Sequence, residues 1–424
     1  MSVQPVRIIA VGDELLEGRT SDTNSTRIQR ALAAFAAQVR DIAVVADREA
    51  AIATALDRTA AGDVVFVCGG LGSTADDLTR EAIAAWAGAP LEFRADVAAS
   101  LAERRKRRGL PARVEGDKQA LVPAGLQAVD NPVGSAPGLA GVLHGRRLAV
   151  LPGVPAELEA LLPGVIAVLQ ELGALAAARA GRLWRTSQMA EMVIARETEP
   201  VRVRYPDLRW AWWLVEWGVD VRLAAEPDQE PQLAAAAREL DRLLADVTYA
   251  REMVALPRVI QDLCLARAQT VAVAESCTGG LVGAALTGEP GSSGYHLGGI
   301  LAYADRAKTD LLLVDPAVLA DHGAVSRPVA EQMARGARMR LGADWAVAVT
   351  GIAGPAGGSD DKPVGTTWIA VAGPQGVQAG LYRYSGDRER NRHLAAAGAL
   401  DALRRAVAGE AVFRPDRLSW GRPG

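Results

Sequence analysis

The chain predicts an α/β protein: two three-layer α/β/α lobes with a small α+β unit between them. Three observations predict it. Short β-branched runs alternate with helix-length amphipathic stretches through the first 165 residues. The same alternation restarts near residue 255. Between about 173 and 250 it gives way to strands around turns, followed by one long helix.

In the first lobe, VRIIAVG (6–12) is a β-branched run closed by glycine, followed by a helix from about Asn24 to Gln38. QVRDIAVVA (38–46) is a second strand and AAIATALDRTAA (50–61) a second helix. DVVFVCGGLGS (63–73) is a buried-type strand running into a glycine-rich turn. RRLAVLPGVP (146–155) adds a strand; the helix-like AELEALLPGVIAVLQELG after it is interrupted by Pro163 and Gly164. Strands alternating with helices predict a parallel sheet covered on both faces.

In the middle unit, LWRTSQMAEM and WAWWLVEWGVDVRLAAE read as strands around turns, and PQLAAAARELDRLLADV as a helix. Trp210, Trp212, Trp213 and Trp217 are expected to pack a core or an interface. Tryptophan is mostly buried, and a stacking platform for nucleic acid would sit among basic residues. In the second lobe a helix (VIQDLCLARAQ) leads to the strand TVAVAE (270–275), then SCTGG and an apolar helix. GGILAY (298–303), the helix RPVAEQMARGARMRLG, WAVAVTG (345–351) and TTWIAVAG (366–373) follow. The expected boundaries are 1–170, 171–252 and 253–424.

Composition narrows the function classes. Half of the 424 residues are hydrophobic, 23% are charged, and the net charge is −3. That supports several cores and gives no global basic field for nucleic acid or an anionic membrane. The start, MSVQPVRIIAVGDELLEG, lacks signal-peptide features, and no run of 18 apolar residues occurs, so a cytoplasmic enzyme is the expectation. Three cysteines in different contexts and four scattered histidines make neither a disulfide framework nor a zinc site.

Chemistry-bearing residues collect where strands end, the place where ligands bind in open α/β sheets. Glu275-Ser276-Cys277-Thr278-Gly279-Gly280 lies between a strand and a helix, whose free amides favour a phosphate or an oxyanion. Tyr303-Ala304-Asp305-Arg306-Ala307-Lys308 is the second such segment, and Thr350-Gly351-Ile352-Ala353-Gly354 opens the third. Amide hydrolysis needs a nucleophile, a proton acceptor and oxyanion donors. Ser276 is placed for the first task. Lys308, as a neutral amine, is the candidate base, with Tyr303 relaying or orienting. Cys277 is the rival nucleophile, and a solvated helix-end lysine is the plainer reading of Lys308.

ESCTGG, AYADRAK, HGAVSRPVAEQMARGAR, TGIAGPAGGSDDKPVGTTWIAVAG and YSGDRERNR, in that order over about residues 255–410, resemble the C-terminal domain of the CinA family. The resemblance implies deamidation of nicotinamide mononucleotide without a cofactor. It implies Ser276, Tyr303 and Lys308 as the catalytic group. Cys277, Thr278, Gly279, Gly280, Thr350, Gly351, Gly354, Arg388 and Arg392 would hold the mononucleotide, an arginine fork suiting phosphate. Asp305 stands where the family commonly has Asn.

In the first lobe GDELLEG, SDTN, GGLGSTADDLTREA, DKQA, NPVGSAPG and LPGVPAE are similar to the molybdopterin-binding fold found at the CinA N-terminus. This implies an ADP-ribose pyrophosphatase with a divalent metal. Gly12, Asp13, Glu14, Asn24, Gly70, Gly72, Thr74, Lys118 and Ser135 would hold ADP-ribose, and Asp47 and Asp77 the metal. Taken singly, each Asp reads as an N-cap or turn residue. Gly116, Ser73 and Val154 depart from the family pattern. The basic run at 104–108 reads as a solvated helix face, with contact to a diphosphate as the alternative. The middle unit resembles the KH-like insert of such chains but has no GXXG loop, so RNA binding is not implied. The expected partners are small nucleotides and a second copy in a homodimer. The competing readings are a non-catalytic pterin- or nucleotide-binding protein serving a competence or recombination partner, and a deamidase with an inactive first lobe.

Overall fold

A computed structural model describes every residue except 1–3, 34, 36, 108, 110–117, 177–179 and 414–424. Gly116 and Arg108 therefore lie outside the described residues. The chain divides into two compact units, Met1–Arg179 and Ala180–Gly424.

The strands of the first unit are β1 (Gln4–Val11), β2 (Ala37–Val45), β3 (Val64–Cys68), β4 (Leu91–Phe93), β5 (Leu121–Pro123), β6 (Leu126–Val129), β7 (Gly138–Leu143) and β8 (Arg146–Leu151). Its helices are α1 (Asp13–Leu16), α2 (Asn24–Leu32), α3 (Glu49–Asp57), α4 (Thr79–Ala87), α5 (Ala95–Arg107) and α6 (Pro155–Glu171). The main sheet has the order β2-β1-β3-β8-β7-β6, and β4 and β5 pair separately. β2, β1, β3 and β8 are parallel, whereas β7 and β6 run antiparallel. The expected parallel sheet is therefore mixed. The cause is local: His144 and Gly145, at φ 46° and 72°, make a two-residue hairpin turn between β7 and β8.

Alternation along the central strands fills two cores. Val6, Ile8, Val64 and Phe66 pack toward α2 and α6; Ile9, Val11, Val65 and Val67 pack toward α3 and α4. The helix α6 runs through Pro163. It buries Leu158, Leu161, Leu162, Val165, Ile166 and Leu169. At about 1.5–3 kcal/mol for each such side chain, that burial outweighs the roughly 3 kcal/mol cost of an interior proline. Gly164 is required by closeness: a Cβ there would lie 2.6 Å from Val129 Cγ1.

The second unit opens with β9 (Ala180–Thr186), α7 (Glu191–Arg204), β10 (Arg209–Val215), β11 (Gly218–Ala225), α8 (Glu230–Leu243) and β12 (Thr248–Ala250). These strands form an antiparallel sheet in the order β10-β11-β9-β12. Trp210 and Trp212 pack partly against its core, but Trp213, of opposite parity on the edge strand β10, is 46% exposed. Trp213 thus departs from the expected packing. Trp217 and Tyr249 instead join the core of the sheet that follows.

That sheet comprises β13 (Val271–Glu275), β14 (His296–Leu301), β15 (Trp345–Gly351), β16 (Thr366–Gly373) and β17 (Gly376–Arg383), in the order β14-β13-β15-β16-β17. The first three are parallel, and β16 and β17 antiparallel. Around it lie α9 (Leu256–Ala266), α10 (Leu281–Thr287), α11 (Asp305–Leu312), α12 (Pro316–His322), α13 (Arg327–Leu341) and α14 (Arg388–Ala408). Val271, Val273, Val347, Val349, Ile369 and Val371 face α9 and α14. The intervening alanines (Ala272, Ala274, Ala346, Ala348, Ala370, Ala372) face α13. Among the described residues no helix is long and apolar enough to cross a membrane.

Candidate active site

Three strand ends of the second unit converge on Ser276. It follows β13, which lies between β14 and β15. Its amide donates to Val349 O at 3.0 Å, while Ala302 N donates to Glu275 O at 2.8 Å. The turn is thereby tied to both neighbouring strand ends, with Tyr303 one residue beyond Ala302 and Thr350 one beyond Val349. Ser276 is largely buried, yet its hydroxyl has no hydrogen-bond partner among the described residues. Cys277 is packed below it, and burial pushes its thiol up to about 12. A thiol held protonated near neutrality is a weaker nucleophile than a thiolate.

Lys308, on α11, is 1% exposed. Its Nζ donates to Tyr303 O at 3.0 Å and pairs with Asp305 Oδ1 at 3.3 Å. It is a buried side chain one strand from Ser276, not a solvated helix-end lysine. Among the described residues it makes no hydrogen bond to Ser276. Tyr303 is 65% exposed, and its hydroxyl accepts from Arg388 Nη2 at 3.1 Å.

The first turn of α14 closes the site. Arg388 Nη1 donates to Gly354 O at 2.8 Å, joining the glycine-rich loop to Tyr303. Arg392 spends its donors on Cys277 O (3.2 Å) and Thr278 O (2.8 Å). It therefore braces the serine turn, and the exposed Arg388 is the arginine open to an anion. Asn391 Nδ2 holds Ala353 O at 3.1 Å and Gly386 O at 3.0 Å. Thr350 Oγ1 donates to Ala324 O at 2.8 Å. The buried Thr278 Oγ1 has no partner among the described residues.

Sequence reasoning missed Glu275. Its carboxylate, 1% exposed, accepts from the amides of Gly280 (2.9 Å), Val282 (3.2 Å) and Gly283 (2.8 Å). Of the helix-start donors expected to face a phosphate, the Gly280 amide is thus taken by Glu275, and the Gly279 amide donates to Ser276 O at 3.1 Å. A signal was available: an acid ending an apolar strand beside a helix start needs buried donors. Asn391 was also missed, because in DRERNR it reads as one polar residue among many.

The corresponding loops of the first unit carry the opposite charge. Asp13, just after β1 and Gly12, donates its amide to Asp47 Oδ2 at 3.0 Å. Burial raises the Asp47 carboxyl above its ordinary range; the Asp13 amide opposes this, and Glu14, Asp13 and Asp76 add to it. Asp77 accepts from Gly72 N (2.8 Å), Thr74 N (2.9 Å) and the Thr74 hydroxyl. A Cβ on Gly72 would fall 2.3 Å from Asp77 Oδ2, so the carboxylate fills the space against that glycine. Lys118 donates to Thr74 O and Asp77 O and pairs with Glu81 at 3.2 Å. Gly70 O accepts from Thr79 N, Asn24 Nδ2 donates to Gly153 O, and Ser135 Oγ accepts from Gln119 Nε2. Arg104 is half-buried and donates to Gly134 O and Asp130, while Lys106 of the same run is exposed.

Asp47 and Asp77 are the residues expected to hold a divalent metal. Among the described residues no three His, Cys, Asp or Glu side chains are grouped to hold one. Asp77 has both oxygens engaged by its own loop, and the acidic neighbours of Asp47 are Glu14, Asp13 and Asp76 rather than Asp77.

Fold and sites together define a mixed α/β protein that presents glycine-bearing strand-end loops in each of two units. Comparison with known proteins agrees with that class. Residues 7–171 match the family described as probable molybdopterin binding domain, and residues 254–407 match the CinA C-terminal domain. A CinA-like protein of Anaeromyxobacter sp. (strain Fw109-5) is 39% identical over 421 residues, covering 95% of this chain and 99% of that one. One from Gemmatimonas aurantiaca is 39% identical over 427 residues, covering 98% and 99%. The solved competence/damage inducible protein CihA from Agrobacterium tumefaciens is 43% identical, covering 36% of this chain and 93% of that chain, with a TM-score of 0.35. The chain belongs to the family of CinA-like proteins.

Proposed function

We propose that the second unit hydrolyses the amide of nicotinamide mononucleotide, giving nicotinate mononucleotide and ammonia. The observation that carries the proposal is the unpartnered Ser276 hydroxyl at the meeting of three strand ends, with buried Lys308 on one side. Ser276 Oγ attacks the carboxamide carbon while its proton passes to the Lys308 amine. The tetrahedral adduct then collapses, with that proton going to the departing nitrogen as ammonia. Water hydrolyses the resulting ester and restores the serine. Arg388, exposed beside Tyr303 and the Gly354 loop, supplies the charge for the phosphate.

The test is ammonia release from nicotinamide mononucleotide by Ser276→Ala and by Cys277→Ala. Loss on the order of 10⁴-fold or more is expected for the first, and near-native turnover for the second. Undiminished release by the serine variant would overturn the proposal, and a wild type that binds the nucleotide without releasing ammonia would favour the binding-protein reading.

For the first unit the companion proposal is ADP-ribose as ligand, cleaved to AMP and ribose 5-phosphate. Support comes from Asn24 Oδ1, a buried acceptor without a partner among the described residues, beside the Gly153 loop and suited to a ribose hydroxyl. AMP release, measured with a chelator and with added magnesium, decides whether this unit is a hydrolase or binds without cleaving.

A further inference from the structure

We infer that Gln188, in the turn after β9, is a positioning residue for the Arg388 arm of the serine site, acting through Tyr384; the inference rests on the amide-hydrolase reading of that site. Gln188 lies two residues beyond β9 of the small antiparallel sheet, 196 positions from Tyr384 in sequence. It is 3% exposed and held at φ 57°, a left-handed conformation that side chains other than glycine rarely adopt. Its Oε1 accepts from the Tyr384 hydroxyl at 3.2 Å, and its Nε2 is buried without a partner among the described residues.

The surroundings are shaped to this contact. Tyr384 is 3% exposed. At Gly398, inside α14, a Cβ would lie 2.5 Å from the Tyr384 hydroxyl and 3.4 Å from Gln188 Oε1. A glycine in the interior of a long helix is unfavourable by itself. Here it makes the room in which phenol and amide meet. Tyr384 is also tied through its backbone, its amide donating to Gly365 O at 3.1 Å.

From Tyr384 the chain takes four steps to Arg388, and each end is fastened. Asn391 holds Gly386 O, and Asp387 caps α14 by accepting from Arg390 N at 2.8 Å. Arg388 then reaches Gly354 O and the Tyr303 hydroxyl. Gln188 is therefore the anchor that the small sheet contributes to this arm. Without it the Tyr384 hydroxyl is buried and unpaired, and the arm is released at its root. Such a group shapes where the phosphate is held and leaves the Ser276–Lys308 chemistry intact.

The experiment uses the full chain with Gln188→Ala, Tyr384→Phe, Arg388→Ala and the double variant Gln188→Ala/Arg388→Ala. Ammonia release should show KM for nicotinamide mononucleotide raised about tenfold by each of the first two, with kcat within about twofold. The double variant should be no worse than Arg388→Ala, because the anchor works through that arginine. Amide hydrogen exchange of residues 385–391 should quicken in Gln188→Ala while that of α13 stays unchanged. Tyr384→Phe keeps the inference testable should Gln188→Ala not fold. Unchanged KM in an active enzyme, an effect that adds in full to that of Arg388→Ala, or unaltered exchange at 385–391 would overturn it. A wild type without deamidase activity defeats the functional reading alone, and the exchange measurement then decides the anchor.

Discussion

The two units place glycine-bearing loops at the same topological position and fill them with opposite charge. In the first, Asp47 and Asp77 accept amides of the glycine-bearing loops, and Asp13, Glu14 and Asp76 crowd the Asp47 carboxylate. In the second, one acid, Glu275, satisfies the helix-start amides from beneath, and Arg388 and Arg392 tie the loop carbonyls. The consequence is chemical. In the second unit the carboxylate is buried behind the turn, so the hydroxyl in front of it is left unengaged and the outer arginine faces solvent. In the first, the carboxylates occupy the front of the loops, where an anionic ligand would have to meet them.

The largest expected effect tests the reactive side of that contrast. Replacing Lys308 with Met removes the amine that register sets one strand from Ser276. A fall of about 10²–10⁴-fold in kcat for ammonia release is expected, with nucleotide binding by calorimetry little changed. Equal loss of binding and turnover would reduce Lys308 to a structural tie between Tyr303 and Asp305.

Next comes Glu275→Ala, which orphans three amides at the buried start of α10. At roughly 1–3 kcal/mol for an unsatisfied buried group, and with water entering the space left, a loss of about 3 kcal/mol in unfolding free energy is expected from denaturant titration. Asp77→Ala is its counterpart in the first unit. Asp77 is only half-buried, so water replaces the carboxylate more readily, and about 1 kcal/mol is expected. If Asp77→Ala cost as much as Glu275→Ala, the distinction between a sealed and an open loop would fail.

Much of this was legible in the sequence, and what was not had physical reasons. Strand-to-glycine transitions at GGLGS and ESCTGG located both sets of loops, because such turns recur wherever a parallel strand meets a helix. Ser276 and Lys308 stood out by residue type, and the structure brings their segments to adjacent strand ends. The mixed character of both sheets was hidden, since Gly138 and Gly141 break the alternation of β7, and GVQAGLYR has weak periodicity. The Pro163 interruption misled in the other direction: local preference yielded to burial of a whole helix face. Which donors each carboxylate takes was beyond pattern reading, as Asp77 and Glu275 both look like solvent-seeking acids in a string. Gln188 and Tyr384 were invisible for another reason. Their contact joins distant segments and depends on a glycine in a third.

The smallest effect expected concerns Asp47 and isolates the electrostatic half of the contrast. Its carboxyl is raised above the ordinary value of 3.8, first by burial and then, against the Asp13 amide, by Glu14, Asp13 and Asp76. The folded state therefore holds this proton more tightly than the unfolded chain does. Stability falls as pH rises from the ordinary carboxylate value through the raised one, and the penalty is constant above both. Asp47→Asn keeps an oxygen to accept from the Asp13 amide and removes the charge. In denaturant titrations the variant should match wild type at pH 3 and gain on it progressively up to neutrality, by an amount that shrinks little in salt if burial dominates and more if the neighbouring acids do. A stability difference independent of pH would mean that Asp47 carries no excess charge cost, and the first unit would then lose the feature that sets its loops apart from those of the second.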